Sequence, residues 1–374
     1  MNKIANLFNR EFEKLALPEL SNHSCQRPDM TTSTSNTTLE NTGYTLHQDI
    51  RRVRNGDEIS VLIPTKNRQR AVLECIRSVN NQSIRPGEII IVDASDKEGL
   101  ETFVRDNTKG EIRTKYVRSE AGLTHQKNIG VEQSSGDIVL VLDDDVILDE
   151  DFVKEILNVY NDPRFDGIGC VYGDLVPLDD DNNNVGRRSA FRSIASALRV
   201  RIVDGLIRTL FFMQKLPTNG KFRLSGWSTS PTPSKPGATI LETEGAPGGY
   251  TAYYKEILNE FKFDENLKGY AAGEDADISY RISRKYKNIF TPKAKVIHVS
   301  RTTKAENYAH SKMKIENHHY LFKKNFPQAL RNRVAFNLSI FGYFLIELEY
   351  AILNRNTQRL RGYLDGLHAV HKKR

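Results

Sequence analysis

From Ile59 onward the chain repeats one pattern, in which a short continuous apolar run gives way to a polar break and then to apolar residues at helical spacing. Ile59 to Pro64 reads as a strand. Arg68 to Asn80 reads as a helix with Val72, Ile76 and Val79 on one face. Glu88 to Asp93 is a second apolar strand and Ile112 to Val117 a third, followed by a helix from Leu123 to Gln133. The run Ile138 to Leu142 is a fourth strand, and Phe152, Ile156 and Val159 mark the helix after it. Strands alternating with helices require right-handed crossovers and predict an α/β fold with a largely parallel sheet covered on both faces. Ligands bind such sheets beyond the carboxyl ends of the strands. The polar residues gather at those ends: Pro64-Thr65-Lys66-Asn67-Arg68 after the first strand, Asp93 after the second, and Asp143-Asp144-Asp145 after the fourth.

The aspartate triplet carries the clearest chemistry. Adjacent carboxylates repel, so three at a strand end call for a cation. Mg²⁺ or Mn²⁺ fits, since these ions take oxygen ligands, use one or two protein carboxylates and complete their shell with water and substrate phosphate. A nucleotide-linked substrate follows. The plain alternative is a solvated acidic turn before the helix that starts near Asp149. A second acidic site, Glu274 and Asp275, follows Gly273 at the predicted start of a helix, where the helix dipole favours negative charge. Ile278 and Ile282 would face the core, with Asp277 and Arg281 pairing on the exposed side. This site is either an acidic cap or a general base across a cleft from the metal. His298, on the strand Lys295 to Ser300, is either a core histidine or a further metal ligand.

Composition narrows the setting. The 374 residues carry a net charge of +7, which suits an anionic partner. Cys25, Cys75 and Cys170 stand far apart in no metal-ligand spacing and read as reduced thiols of a cytoplasmic protein. Residues 1 to 55, which include the Ser/Thr/Asn tract at 31 to 42, read as a flexible arm with a short helix near Ile4 to Leu17, and the first twenty residues do not form a secretory signal. Residues 177 to 245 hold the basic stretch Phe191 to Lys215 and the Pro- and Ser-rich loop Leu224 to Gly237. Trp227 in that loop either stacks on a substrate ring or simply packs.

The elements ISVLIPTKNR, EIIIVDAS, THQKNIG, GDIVLVLDDDV, GAPGGYTAYYKEIL, GEDADISYRI and VIHVS, in that order from Ile59 to Ser300, resemble the family 2 glycosyltransferases of the GT-A fold. The resemblance implies a Rossmann-like sheet in residues 56 to 305, with 306 to 374 as a C-terminal helical extension. It implies that Pro64, Thr65 and Arg68 contact the nucleotide, that Asp93 reads the base, and that Lys127 and Asn128 approach the nucleotide, with lysine where arginine is usual. By the same resemblance Asp143 and Asp145 are the outer positions of a DxD motif, with Asp144 between them at the substrate. Asp275 is then the base of an ED pair with Glu274, His298 lies near metal and diphosphate, and Gly248-Gly249 lies on the acceptor side. The implied reaction is an inverting transfer from a UDP-, GDP- or dTDP-linked sugar to a hydroxyl of a glycan or lipid-linked acceptor, in polysaccharide or glycoconjugate synthesis.

Beyond the domain, Val334, Leu338, Phe341, Leu345, Leu348 and Ile352 form an apolar stripe. Glu347 and Glu349 inside the same window argue against a membrane span. Basic residues on both sides, among them Lys323, Lys324, Arg331, Arg333, Arg355, Arg359 and Arg361, suit a helix on the anionic inner face of a membrane; the alternative is packing on the domain or on a second subunit as a homodimer. His310, His318 and His319 read as exposed polar residues. No G-x-G-x-x-G follows a strand, which removes a Rossmann dehydrogenase, and the basic charge matches no nucleic-acid-binding motif. The competing reading is an inactive sugar-nucleotide or glycan-binding module, or a scaffold in a polysaccharide assembly complex.

Overall fold

The computed structural model describes residues 55–108, 112–176, 205–214, 220–228, 239–299 and 304–372. The arm before residue 55, its helix near Ile4 to Leu17, Cys25 and most of the loop segment at 177 to 245 lie outside the described residues. Residues 53–374 form one compact unit.

Its centre is a mixed sheet. The strands are β1 (Ile59–Thr65), β2 (Glu88–Asp93), β3 (Thr114–Arg118), β4 (Ile138–Leu142), β5 (Val146–Leu148), β6 (Ile168–Leu175), β7 (Leu241–Thr243), β8 (Tyr250–Tyr254) and β9 (Lys287–His298). They run in the order β3-β2-β1-β4-β8-β6-β9-β5, with β7 also paired to β9. The first four strands pair in parallel, as the crossover argument requires. Parallel pairing does not extend further: β8 runs antiparallel to both β4 and β6, and β9 is parallel to β6 but antiparallel to β5 and β7. The helices around the sheet are α1 (Gln69–Asn80), α2 (Leu100–Asn107), α3 (Leu123–Gln133), α4 (Phe152–Tyr160), α5 (Lys255–Phe261) and α6 (Glu274–Ser283).

Strands β1, β2 and β4 read as continuous apolar runs because both faces are covered. Successive side chains alternate across the sheet. Val61, Ile63, Ile89, Ile91 and Leu140 join one core with Val72 and Ile76 of α1 and Phe152 and Ile156 of α4. Leu62, Ile90, Val92, Val139 and Val141 join the other with Val131 of α3, Ile257 of α5 and Ile278 and Ile282 of α6. Each such side chain, fully buried, contributes about 1.5–3 kcal/mol. A one-residue slip would exchange the two cores, so the register that brings Asp93 and Asp143 to one edge is strongly fixed. Helix α2 and strand β5 were not expected from the sequence. Helix α2 is only eight residues long, with Leu100 and Val104 as its buried contacts, and β5 is three residues long.

The C-terminal region is helical: α7 (Lys304–Asn325), α8 (Leu330–Asn354) and α9 (Gln358–Lys372). Helix α9 lies close on α7, since a Cβ at Gly362 would stand 2.3 Å from the Tyr308 carbonyl oxygen and one at Gly366 2.7 Å from that of Lys312. Helix α8 buries Ala335, Phe336, Ser339, Gly342, Tyr343, Ile346 and Glu347. The apolar stripe is on its other side: Val334, Phe341 and Ile352 are exposed, and Leu338, Leu345 and Leu348 are half-buried. By length and composition α8 could cross a membrane, but its inner face carries a buried ion pair in which Arg359 donates to both carboxylate oxygens of Glu347 at 2.7 and 2.8 Å.

Candidate functional site

The carboxyl ends of β1 and β4, the turn before β8, the start of α6 and one side of α7 surround a cavity of about 1090 Å³. Asp143, Asp144 and Asp145 all line it. Asp144 is buried beneath the other two, where its carboxylate accepts from Thr65 Oγ1 at 2.6 Å and Arg68 Nη1 at 3.0 Å. Burial is the main cause that pushes its pKa up to about 6, against the opposing pull of Thr65 and Arg68. Asp145 accepts from Arg68 Nη1 at 2.7 Å and pairs with His298 Nε2 at 2.9 Å. Burial alone would raise it, but His298 and Arg68 hold it below the usual carboxylate range. In return the bond to Asp145 raises the His298 pKa.

Asp143, Asp145 and His298 each offer a ligand atom, and these atoms lie within 4.8 Å of one another. Two carboxylates and one imidazole beside Arg68, with His298 binding as the neutral ring, suit a divalent cation that also takes oxygen from a phosphate.

Asp275 faces the same cavity from the start of α6, and Gly248-Gly249 separates it from Asp143. Neither glycine has a positive φ, so close approach explains both. A Cβ at Gly249 would stand 2.2 Å from Asp143 Oδ2, and one at Gly248 2.1 Å from Glu274 Oε1. Gly273, with φ +91°, caps α6 in the left-handed region that disfavours other residues. Asp275 Oδ1 accepts from the Ala276 amide at 2.8 Å, and burial raises its pKa.

Glu274 and Asp275 differ in role. Glu274 turns inward, where Lys127 Nζ donates to its Oε1 at 2.7 Å and to the Gly248 carbonyl at 2.9 Å. Burial pushes Glu274 up to about 7, with Lys127 opposing it, and its Oε2 has no hydrogen-bond partner. Lys127 is fully buried and absent from the cavity wall, so it braces the Gly248 turn and the start of α6.

Other residues singled out in the sequence are placed less directly. Pro64, Thr65 and Arg68 line the cavity. Asp93 and Asn128 do not. Asp93 is buried and accepts from Arg118 Nη1 and the Ser95 amide, both at 2.8 Å, and from the Tyr116 hydroxyl. Asn128 clamps the loop before α6, donating to Glu265 at 2.8 Å and accepting from the Phe263 amide at 2.9 Å. Asp277 pairs with Arg281 as its spacing predicts, but the pair is not exposed. Lys324 Nζ and Asn325 Nδ2 of α7 also donate to Asp277, which is fully buried.

Helix α7 was not expected at the cavity. Asn307, His310, Met313, Lys314, His318 and Phe322 line it. His318 is part-buried rather than exposed, its ring 4.1 Å from that of Trp227. Trp227 lines the cavity and donates from Nε1 to Ser339 Oγ at 3.1 Å, which joins it to α8.

Comparison with known proteins follows the same lines. Residues 60–214 match the model of glycosyl transferase family 2. A GalNAc(5)-diNAcBac-PP-undecaprenol beta-1,3-glucosyltransferase of Campylobacter jejuni is 30% identical over 33% of this chain and 40% of its own length. Glycosyltransferase GlyG of Streptococcus pneumoniae is 24% identical over 34% of this chain and 42% of its own. The chain thus spans about two fifths of these relatives. Among solved structures, the mannosyltransferase PcManGT of Pyrobaculum calidifontis, in complex with GDP-Man and Mn²⁺, aligns over 83% of this chain and 86% of its own at a TM-score of 0.49 and 16% identity. GalNAc-T7 with UDP, GalNAc and Mn²⁺ aligns over 80% and 57% at 0.47 and 17%.

Proposed function

The chain belongs to glycosyl transferase family 2, and from this premise we propose that it is a metal-dependent inverting enzyme that moves a sugar from a nucleotide-sugar to a hydroxyl of a glycan or lipid-linked acceptor. The observation that carries this reading is the convergence of Asp143, Asp145 and His298 with Asp275 on one cavity, on either side of the Gly248-Gly249 turn.

Asp143, Asp145 and His298 would hold Mg²⁺ or Mn²⁺. The bound ion supplies Lewis-acid stabilisation of the departing diphosphate. Arg68 stands beside them to meet the same negative charge. Asp275 accepts the proton of the acceptor hydroxyl while that oxygen attacks the anomeric carbon and the bond to the nucleoside diphosphate breaks. Burial raises its pKa, which makes it a stronger base than an ordinary aspartate. Attack from the face opposite the leaving group inverts the anomeric centre. A relative whose name specifies an undecaprenol diphosphate-linked glycan supports a lipid-linked acceptor.

Asp275→Asn tests the assignment. General base catalysis contributes about 10²–10⁴ in rate, so transfer should fall by that factor with donor affinity unchanged. Full turnover in the folded variant would remove Asp275 as the base. Proton NMR of the product's anomeric signal tests inversion, and a retained configuration would reject it.

The outward stripe of α8 supports docking on the anionic cytoplasmic face of a membrane. Exposed Arg331, Arg333, Arg355 and Arg361 flank exposed Val334, Phe341 and Ile352. Co-sedimentation with phosphatidylglycerol vesicles should be lost in Phe341→Asp/Ile352→Asp. A salt-insensitive dimer that the same substitutions dissociate, with no vesicle binding, would assign the stripe to a second copy of the chain.

A further inference from the structure

Among the described residues that line the cavity, Lys66 pairs with Asp96 and Arg68 with Asp144 and Asp145. Lys314 has no carboxylate partner among the described residues. Its ammonium stands 5.3 Å from the ring centre of Trp227 and 5.1 Å from that of Tyr343, a pair of aromatic faces that attracts a cation without neutralising it. The carboxylate nearest to it in effect, Glu347, is already closed by both bonds from Arg359. Burial, followed by the charges of Arg208 and Arg359, pushes Lys314 down to about 8. Lys314 and Asp275 both line the cavity, and α7 is tied to the loop before α6 by the bond from Asn317 Nδ2 to the Ala272 carbonyl at 2.9 Å.

One turn along α7, His318 lines the same cavity, and burial lowers its pKa to about 3. The ring is therefore neutral, and Nε2, which has no partner among the described residues, can serve as an acceptor. An unmatched ammonium and an unmatched ring nitrogen thus lie one turn apart on the α7 side of the cavity, whereas the residues suited to the donor's diphosphate come from the strand ends.

We propose that Lys314 sets acceptor specificity by binding an oxyanion that the acceptor carries near its reacting hydroxyl, while His318 Nε2 accepts a hydrogen bond from a hydroxyl of the same molecule. Calling the bound molecule the acceptor rests on the glycosyltransferase reading; the oxyanion site itself does not. A phosphate of a lipid carrier and the carboxylate of a uronic acid share the required chemistry. The bond is charge-assisted and partly shielded from water, and hence of the stronger kind.

The test is calorimetric titration of the full chain, saturated with UDP and Mn²⁺ to occupy the donor side, with inorganic pyrophosphate in one arm and methyl glucuronoside in the other. At least one probe should bind the wild type. Lys314→Met should weaken it by about tenfold or more and Lys314→Arg far less. Lys314→Gln serves if the methionine variant loses its melting transition. The arm that responds distinguishes phosphate from carboxylate. Failure of both probes to bind the wild type, or equal affinity in the folded neutral variant, would overturn the proposal. Loss of the UDP signal alone, with Lys314-dependent probe binding retained, would instead count against the glycosyltransferase reading and leave the oxyanion site standing.

Discussion

The two walls of the cavity treat charge in opposite ways. On the strand-end wall Asp144 and Asp145 are each held by Arg68, with Thr65 and His298 completing the set. On the helical wall Asp275 takes one backbone amide, while Glu274 Oε2, His318 Nε2 and the Lys314 ammonium stand without a matching partner among the described residues. A buried polar group left unsatisfied costs about 1–3 kcal/mol, so the second wall bears a local penalty that the first avoids. The difference matches the roles proposed for the two walls. A cation and a diphosphate can replace the partners of a wall already balanced, whereas proton transfer and acceptor recognition need groups with capacity to spare.

The largest break in this contrast is expected on the first wall. Asp145→Ala removes a candidate ligand and the partner of His298. Metal-dependent turnover should fall by about 10³-fold, and the thermal shift produced by Mn²⁺ with donor should disappear. A variant that keeps both would show that Asp145 does not hold the ion.

The seam between the walls comes next. In Gly249→Ala the new methyl group meets Asp143 Oδ2, so the carboxylate or the turn has to move. Displacement of about 1 Å costs on the order of 10² in rate. Steady-state kinetics should show this mainly in kcat, and an unaffected kcat would mean that the turn does not set the position of Asp143.

A smaller effect concerns how the helical wall is held. Lys324 of α7 donates to Asp264 at 2.6 Å and to Asp277 at 2.9 and 3.0 Å. Because Arg281 still faces Asp277, Lys324→Met should cost about 1–3 kcal/mol by urea unfolding rather than the full cost of stranding a buried charge. The smallest effect is in acid. Despite burial, which raises it, Lys324, Asn266 and Tyr320 hold Asp264 down to about 2. Its folded pKa lies below its unfolded one, so its contribution is present above about pH 4 and lost as the pH falls towards about 2. The slope of melting temperature with pH in that window should be shallower in Lys324→Met, and an unchanged slope would remove Asp264 from the account.

The strand-end wall was legible in the sequence because its signals are local. Three apolar runs mark β1, β2 and β4 to within a few residues, β3 lies close to the span expected for it, and the aspartates stand at the end of β4. The helical wall was not legible, since it depends on contacts across long stretches of chain. The Asp277–Arg281 pair follows from its spacing, but its burial depends on Lys324 and Asn325, nearly fifty residues later. His318 offers no local clue that it will stack on Trp227. Helix α8 shows the limit of periodicity: its apolar repeat faces outward, and the face that packs mixes Phe336, Tyr343 and Ile346 with Ser339, Gly342 and Glu347, so close approach and an ion pair share the contact with apolar packing. Lys127, matched to a nucleotide contact by resemblance, is turned inward by Glu274, a partner 147 positions away.

The most direct test of metal-dependent glycosyl transfer is nucleoside diphosphate release by the purified chain from UDP-, GDP- and dTDP-sugars, with Mn²⁺, with Mg²⁺ and with EDTA. One nucleotide class should be released in the presence of metal and not with EDTA. Release that is indifferent to EDTA, or folded protein that turns over no donor under any of these conditions, would contradict the account.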